Sequence, residues 1–272
     1  MKSFYINLEN ATARRNSIED SFLRHNNCGW TLQRFPAIDA DYVRTNKIPG
    51  ALRDEEKACF LSHRKLIEQN ADADQHIFIV EDDTRFAPLT FETIDGLLRP
   101  PTPFTEWDLL FTDVGIWSIG AMADLVMLRR QLKPKDQIRL LDLRFLPFFG
   151  ATAYIVNKSS LKKVLQVITV DCLDGPYDLF LQKKVSDGAL SAFVTFPFLT
   201  SSSEHSLNSS LQPKSTERTQ LIYEIFKRMI WIEGDSFDPV PLLDQVCQSV
   251  DERSNAYGRL WASMIDPGFK LK

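Results

Sequence analysis

The chain is poor in the residues that build metal fingers and disulfide frameworks. Its four cysteines, Cys28, Cys59, Cys172 and Cys247, are scattered without a CxxC pair, which excludes a zinc finger or a cysteine-stapled scaffold. They read as buried reduced thiols, in keeping with a cytoplasmic protein. Histidine is as scarce: His25, His63, His76 and His205 are not clustered, which argues against a histidine-rich two-metal centre. No apolar stretch approaches the ~20 residues of a membrane span. After Met1-Lys2 the short run Phe4-Tyr5-Ile6 is stopped by Asn7 and Glu9, so no export signal is expected. A strong charge excess is missing too. Thirty-two basic residues against thirty-six acidic ones leave a net charge of −4, and nucleic acid is not expected as a partner.

What is present is ordinary globular composition, 44% hydrophobic and 25% charged over 272 residues. That length suits one large α/β domain with a helical appendage. Ser3 to Leu8 reads as a buried strand, Ala11 to Arg24 as a helix and Thr31 to Phe35 as a second strand. Pro49-Gly50 is a turn signal. Asp54 is placed to cap a helix from Glu55 to about Asn70. Further strands are expected at Ile77 to Val80, Asp108 to Thr112 and Ala151 to Val156, with a helix from Lys158 to Ile168. Strands alternating with helices predict a mostly parallel, Rossmann-type sheet with flanking helices. Thr200 to Ser210 reads as a Ser-rich loop. Beyond it Thr216 to Trp231 and Leu242 to Met264 read as helices. The expected division is a catalytic domain over 1–212 and a helical C-terminal extension over 213–272.

Ile77-Phe78-Ile79-Val80 is the most informative element, an apolar run that stops abruptly in Glu81-Asp82-Asp83. Ligands of open parallel sheets bind at the carboxyl ends of the strands. Three adjacent carboxylates repel one another there, and desolvation raises their pKa values. A hard divalent cation such as Mg²⁺ or Mn²⁺ removes that conflict and can bridge a pyrophosphate. The plainer alternative is a solvated turn leading to a helix near Thr90. If the chain stays extended, Glu81 and Asp83 share one side and Asp82 takes the other.

Several ordered segments resemble glycosyltransferase family 25, which includes lipooligosaccharide galactosyltransferases and collagen galactosyltransferases. Phe4-Tyr5-Ile6-Asn7-Leu8 with Arg14-Arg15 resembles the family's opening strand and arginine pair. Pro36-Ala37-Ile38-Asp39-Ala40 is similar to its Ala-Ile-Asp-Gly stretch, with Ala40 where glycine is usual. Ala58-Cys59-Phe60-Leu61-Ser62-His63 followed by Ile79-Val80-Glu81-Asp82-Asp83 resembles its most recognisable pairing. Gly150 to Asn157 and Gly175-Pro176-Tyr177-Asp178-Leu179-Phe180 are similar to its later motifs.

The resemblance implies a GT-A-like fold and an inverting transfer of a hexose, galactose or glucose. The donor would be a UDP-sugar, the metal Mn²⁺ (or Mg²⁺), and the acceptor a glycan such as lipooligosaccharide. It implies Asp83 as direct metal ligand, with Asp82 and Glu81 turned to metal-bound water or donor hydroxyls. It places Asn7, Leu8, Ala37 and Asp39 on the donor side. His205 is the one histidine in a late loop; it is either a second ligand or an exposed imidazole. Ser62 and His63 either pack in their helix or hold the metal loop and donor phosphates. Arg14 and Arg15 either face solvent or reach the phosphates, which guanidinium binds bidentately.

Displacement at an anomeric carbon needs a general base on the acceptor side. Asp178 and Asp174 are the candidates, and Asp178 matches the family motif better. It is also placed as a helix N-terminal acid after Pro176. In the tail, Leu221, Ile222, Ile225, Met229 and Ile232 recur at helical spacing beside Lys227, Arg228 and Trp231. Such a stripe serves core packing, a dimer contact, or a peripheral contact with the inner membrane face near a lipid-linked acceptor. Two other functions share the acidic strand end: a metal-dependent phosphohydrolase or nucleotidyltransferase, and a non-catalytic sugar- or partner-binding protein.

Overall fold

Every residue of Ile77-Phe78-Ile79-Val80 is fully buried, which a strand shows when both faces of its sheet are covered. The computed structural model describes residues 1–102, 106–132, 138–203, 225–233, 251–253 and 256. The chain opens with β1 (Lys2–Asn7), α1 (Thr12–His25), β2 (Thr31–Pro36), α2 (Ala40–Thr45) and α3 (Asp54–Gln69). β3 (Ile77–Glu81), β4 (Thr84–Phe86), α4 (Thr90–Leu98), β5 (Leu109–Phe111) and β6 (Gly115–Ile116) follow. Next are α5 (Ile119–Gln131), β7 (Arg139–Asp142), β8 (Phe148–Phe149) and β9 (Ala153–Val156). A 3-10 turn at Lys158–Ser160 leads into α6 (Leu161–Ile168). α7 (Tyr177–Ser186), β10 (Ala192–Phe196) and β11 (Thr200–Ser202) come last, before a helical turn over residues 225–229.

The seven-stranded sheet has the order β2-β1-β3-β9-β5-β10-β7. β1, β2, β3, β5 and β10 run one way, while β9 and the edge strand β7 run against them. The expected α/β architecture with a mostly parallel sheet is therefore found, with one reversed strand at its centre. Alternate residues of β3 serve opposite faces. Ile77 and Ile79 pack with Leu61, Leu66 and Ile67 of α3 on one side. Phe78 and Val80 pack with Ile18 and Phe22 of α1 and Phe91 and Ile94 of α4 on the other.

Some expectations need correction. Arg53, not Asp54, caps α3: the Arg53 N–H donates to the Glu56 carboxylate at 3.1 Å, and Asp54 is a first-turn acid. Thr200–Ser202, read as loop, is strand β11 paired antiparallel with β4. Residues 204–210 of that loop, with His205, lie outside the described residues, as does nearly all of Leu242 to Met264.

Of the described tail residues, Ile225, Phe226, Ile230, Trp231 and Ile232 belong to the core, whereas 251–253 and 256 are exposed. Phe226 and Ile230 join the α3 side, and Trp231 and Ile232 join the α1 side. Phe198 N–H donates to the Ile230 carbonyl at 3.0 Å, and Ile232 N–H to the Phe198 carbonyl at 2.8 Å. The Trp231 indole donates to the Leu199 carbonyl at 3.4 Å, beneath the Arg85 guanidinium. Of the alternatives for the tail stripe, core packing is found at Lys227 and Trp231, two residues that a membrane contact would need exposed. Among the described residues no helix is long and apolar enough to cross a membrane.

Trp231→Ala should then cost about 3–5 kcal/mol in urea unfolding, as for a buried aromatic. A loss within ~0.5 kcal/mol, the usual effect of a surface substitution, would contradict this packing.

Candidate active site

β1, β3 and β5 end at the same edge of the sheet, and each ends in polar residues. Asn7 closes β1, Glu81 closes β3, and Thr112-Asp113 follows β5. The chain then turns at Asp82-Asp83 into β4, so the three carboxylates do not follow the alternation of an extended strand. Glu81 meets a histidine, while Asp82 and Asp83 share an arginine. Glu81 Oε1 lies 3.5 Å from His63 Nε2. Asp82 accepts from Asn7 Nδ2 at 2.7 Å and from Arg14 at 2.9 Å. Asp83 points inward, 3.6 Å from the Arg14 guanidinium, and its Oδ1 is buried without a hydrogen-bond partner. Ser203 N–H donates to the Asp83 carbonyl at 2.7 Å, fixing the turn from the β11 side.

Crowding shows in the protonation of these acids. Burial, then the charges of Glu81 and Asp82, push Asp83 up to about 7 despite Arg14 and Lys227. Burial also raises Asp82, against the opposing pull of Arg14 and Asn7.

The remaining expected residues divide into two sets. Asn7 is a hub, since its Oδ1 also accepts from Arg15 at 3.3 Å and Arg34 at 3.0 Å. Arg15 is further held by the Glu9 carbonyl at 3.0 Å, so Arg14 is the member of the pair at the acids. Ser62 accepts from the Ile38 N–H and donates to the Ala58 carbonyl, tying the loop after β2 to α3. Ala37 N–H donates to the Asn7 carbonyl, and the Leu8 carbonyl accepts from Ala11 N–H. Asp39 caps α2 by accepting from Tyr42 N–H at 2.8 Å. Asp178, in the first turn of α7, accepts from the Gly150 N–H at 2.8 Å. Gly150 sits at φ +81°, a conformation that L side chains rarely adopt. Burial raises Asp178, with its backbone donors opposing and Glu81 adding to the rise. Asp174 is exposed and accepts from Ala51 N–H at 3.0 Å, beside the Pro49-Gly50 turn. At Gly50 a Cβ would fall 2.1 Å from the Leu173 carbonyl oxygen. Asp174 therefore braces a tight backbone approach.

With this geometry, the sequence comparison is decisive. The family model for glycosyltransferase family 25 (LPS biosynthesis protein) matches residues 1–180. The chain belongs to glycosyltransferase family 25. Among its relatives is a glycosyltransferase 25 family member of Anopheles gambiae, 29% identical over 126 residues. Another, of Drosophila pseudoobscura pseudoobscura, is 27% identical over 125 residues. Each match takes in 40% of this chain but only 21% and 20% of the relative, about a fifth of its length. Among solved structures, galactosyltransferase LgtC in complex with donor and acceptor sugar analogs aligns at TM-score 0.40 and 11% identity. That alignment covers 94% of this chain and 99% of the other. The inositol-1-phosphate CTP transferase from T. maritima aligns at TM-score 0.35 and 12% identity, over 79% and 93% of the two chains.

Two residues of this family 25 protein's site escape sequence reading. Asp113 is fully buried and lies 2.8 Å from the Lys227 ammonium, which also donates to Ser202 Oγ at 3.2 Å. Asp113 had a signal, because it ends a buried apolar strand as the triplet does. Lys227 had none, since only the tertiary fold brings the tail to this edge. Glu81, Asp82, Asp83 and Asp113 together outnumber Arg14 and Lys227. Oxygen donors in excess of local positive charge, with Oδ1 of both Asp83 and Asp113 buried without a hydrogen-bond partner, fit a hard divalent cation.

The raised Asp83 carries a stability consequence. Its folded pKa lies above the unfolded value, so the folded state loses stability as pH rises from about 4 through about 7. Asp83→Asn removes that penalty. In metal-free protein it should raise Tm at pH 8 by roughly 2–4 °C for each kcal/mol recovered, with less gain at pH 5. Equal shifts at both pH values, or a loss at pH 8, would count against the buried charge conflict.

Proposed function

We propose that the protein transfers a hexose, galactose or glucose, from a UDP-sugar to a glycan acceptor such as lipooligosaccharide, with inversion. The observation that carries this reading is the excess of carboxylates over cations, Glu81, Asp82, Asp83 and Asp113 against Arg14 and Lys227, at the carboxyl edge of the sheet in a family 25 chain. Mn²⁺, or Mg²⁺, would be held by Asp83 with Asp82 and Glu81 beside it; His205 remains the candidate for a further ligand. Such a cation supplies charge neutralisation for the departing diphosphate.

The chain's own residues provide orientation and proton transfer. Asn7 and Arg14 fix Asp82, and the Arg14 guanidinium suits phosphate oxygens as well as carboxylates. Asp178 serves as the general base. Burial raises its basicity, and the Gly150 N–H holds one oxygen in place. The acceptor oxygen forms the new bond to the anomeric carbon as the bond to the diphosphate breaks. Its proton passes to Asp178, and UDP leaves. Asp174, exposed and bonded to Ala51, is the less suitable base. We place the reaction in the cytoplasm, at the inner membrane face where a lipid-linked acceptor lies.

UDP release from UDP-galactose and UDP-glucose, with lipooligosaccharide as acceptor and with Mn²⁺ present or chelated, tests the reading. Acceptor-stimulated release that needs the metal is expected; no release from either donor would overturn it. Asp178→Asn should lower kcat by about 10²–10⁴-fold while UDP affinity stays within about twofold. Asp174→Asn should leave kcat nearly unchanged. If the two variants exchange these phenotypes, the base is Asp174.

A further inference from the structure

Beside the acidic edge lies a second constellation of different chemistry. Cys59 and His63 stand one turn apart on α3, the i, i+4 spacing that places two side chains on one helix face. Glu81 faces them from the end of β3. One donor atom from each residue, the Cys59 Sγ, a His63 ring nitrogen and a Glu81 carboxylate oxygen, lies within 4.8 Å of the other two. Ligand atoms of a closed tetrahedral Zn²⁺ site are about 3.5 Å apart, so small side-chain rotations would close the trio.

The imidazole is prepared for this. His63 is almost wholly buried, and its Nε2, the nitrogen facing Glu81, has no hydrogen-bond partner. Glu81 at 3.5 Å is too distant for a normal bond to it. The other nitrogen is fixed: Nδ1 is 3.0 Å from Tyr154 Oη, which is 2.9 Å from Tyr177 Oη. Tyr177 also stacks on the imidazole at 4.3 Å and 8°. If Nδ1–H donates to Tyr154 and Tyr154 donates to Tyr177, Nε2 presents its lone pair to the space between Cys59 and Glu81. Metal-bound histidines are held in this way through the nitrogen that does not ligate. Cys59 and Glu81 are only partly buried, which leaves an entry path and room for a fourth, solvent ligand. A thiolate, an imidazole and a carboxylate favour a softer cation than the all-oxygen cluster at Asp83.

We propose that Cys59, His63 and Glu81 form a binding site for a thiophilic divalent cation of the Zn²⁺ class, adjoining the acidic cluster. The thiol loses its proton to solvent on binding, and no redox step is involved. The site stands on its own geometry and does not depend on the transferase reading.

The test is a Cd²⁺ titration of the full chain, followed by the ultraviolet thiolate-to-metal charge-transfer band, with circular dichroism to confirm folding. One saturating site is expected, displaced by Zn²⁺. Its band should vanish in Cys59→Ser, and Asp83→Asn should retain it. Tyr154→Phe, which keeps the ring but removes the hydroxyl that orients His63, should weaken binding by about 10–100-fold. His63→Gln should weaken it at least as much. A band that survives Cys59→Ser belongs to another cysteine and overturns the proposal. So does Cd²⁺ affinity that is unchanged in folded His63→Gln and Tyr154→Phe, which would mean that the thiol acts alone.

Discussion

Repulsion among crowded, largely desolvated carboxylates is the constraint around which this edge of the protein is built. Glu81, Asp82 and Asp83 leave β3 in succession, and Asp113 leaves β5 beside them. Taking such charges out of water is costly unless each finds a partner. The partners come from distant parts of the chain. Arg14 reaches over from α1, Asn7 closes β1, and Lys227 arrives from the tail. The helical turn over residues 225–229 is thereby joined to the acidic edge by charge as well as by the packing of Phe226, Ile230 and Trp231. Even so, the compensation is incomplete. An Asp83 oxygen stays unpartnered and its carboxyl is pushed up to about 7 by burial and neighbouring acids. Sites that hold strain or unbalanced charge in the ligand-free state are where function is expected, because the ligand supplies what is missing.

The same edge could be read from sequence only where local pattern determined it. The run Ile77 to Val80 followed by three acids carries its own message, and β1, α1 and α3 fall within about a residue of their expected bounds. Direction was not legible. An apolar run such as Ala153–Val156 reads alike whether the strand lies parallel or antiparallel, and β9 proves to be reversed. Elements of two or three residues, such as β6, β8 and β11, are too short to show a period. Roles that depend on remote partners were hidden as well. Sequence alone does not show that Asp39 also caps α2 through the Tyr42 N–H, and Lys227 looks like a surface cation until Asp113 is placed against it.

Family membership defines a class of chemistry, and oxygen and sulfur donors are sorted here between the end of β3 and the middle of α3. The oxygen-only cluster around Asp83 suits a hard cation and a diphosphate. The Cys59–His63–Glu81 trio suits a softer one, and the two arrangements meet at Glu81. Asp178 lies close enough to Glu81 for the two charges to interact, so the two carboxylates share one electrostatic neighbourhood.

The central claim is that the acidic cluster binds a hard divalent cation together with a nucleoside diphosphate. The most direct measurement is the electron paramagnetic resonance signal of free Mn²⁺, titrated against the protein with and without UDP. The account predicts one Mn²⁺ site whose affinity rises when UDP is present, and whose binding is lost in Asp83→Asn and weakened in Asp113→Asn. Mn²⁺ binding indifferent to UDP, or unchanged by both substitutions, would contradict it.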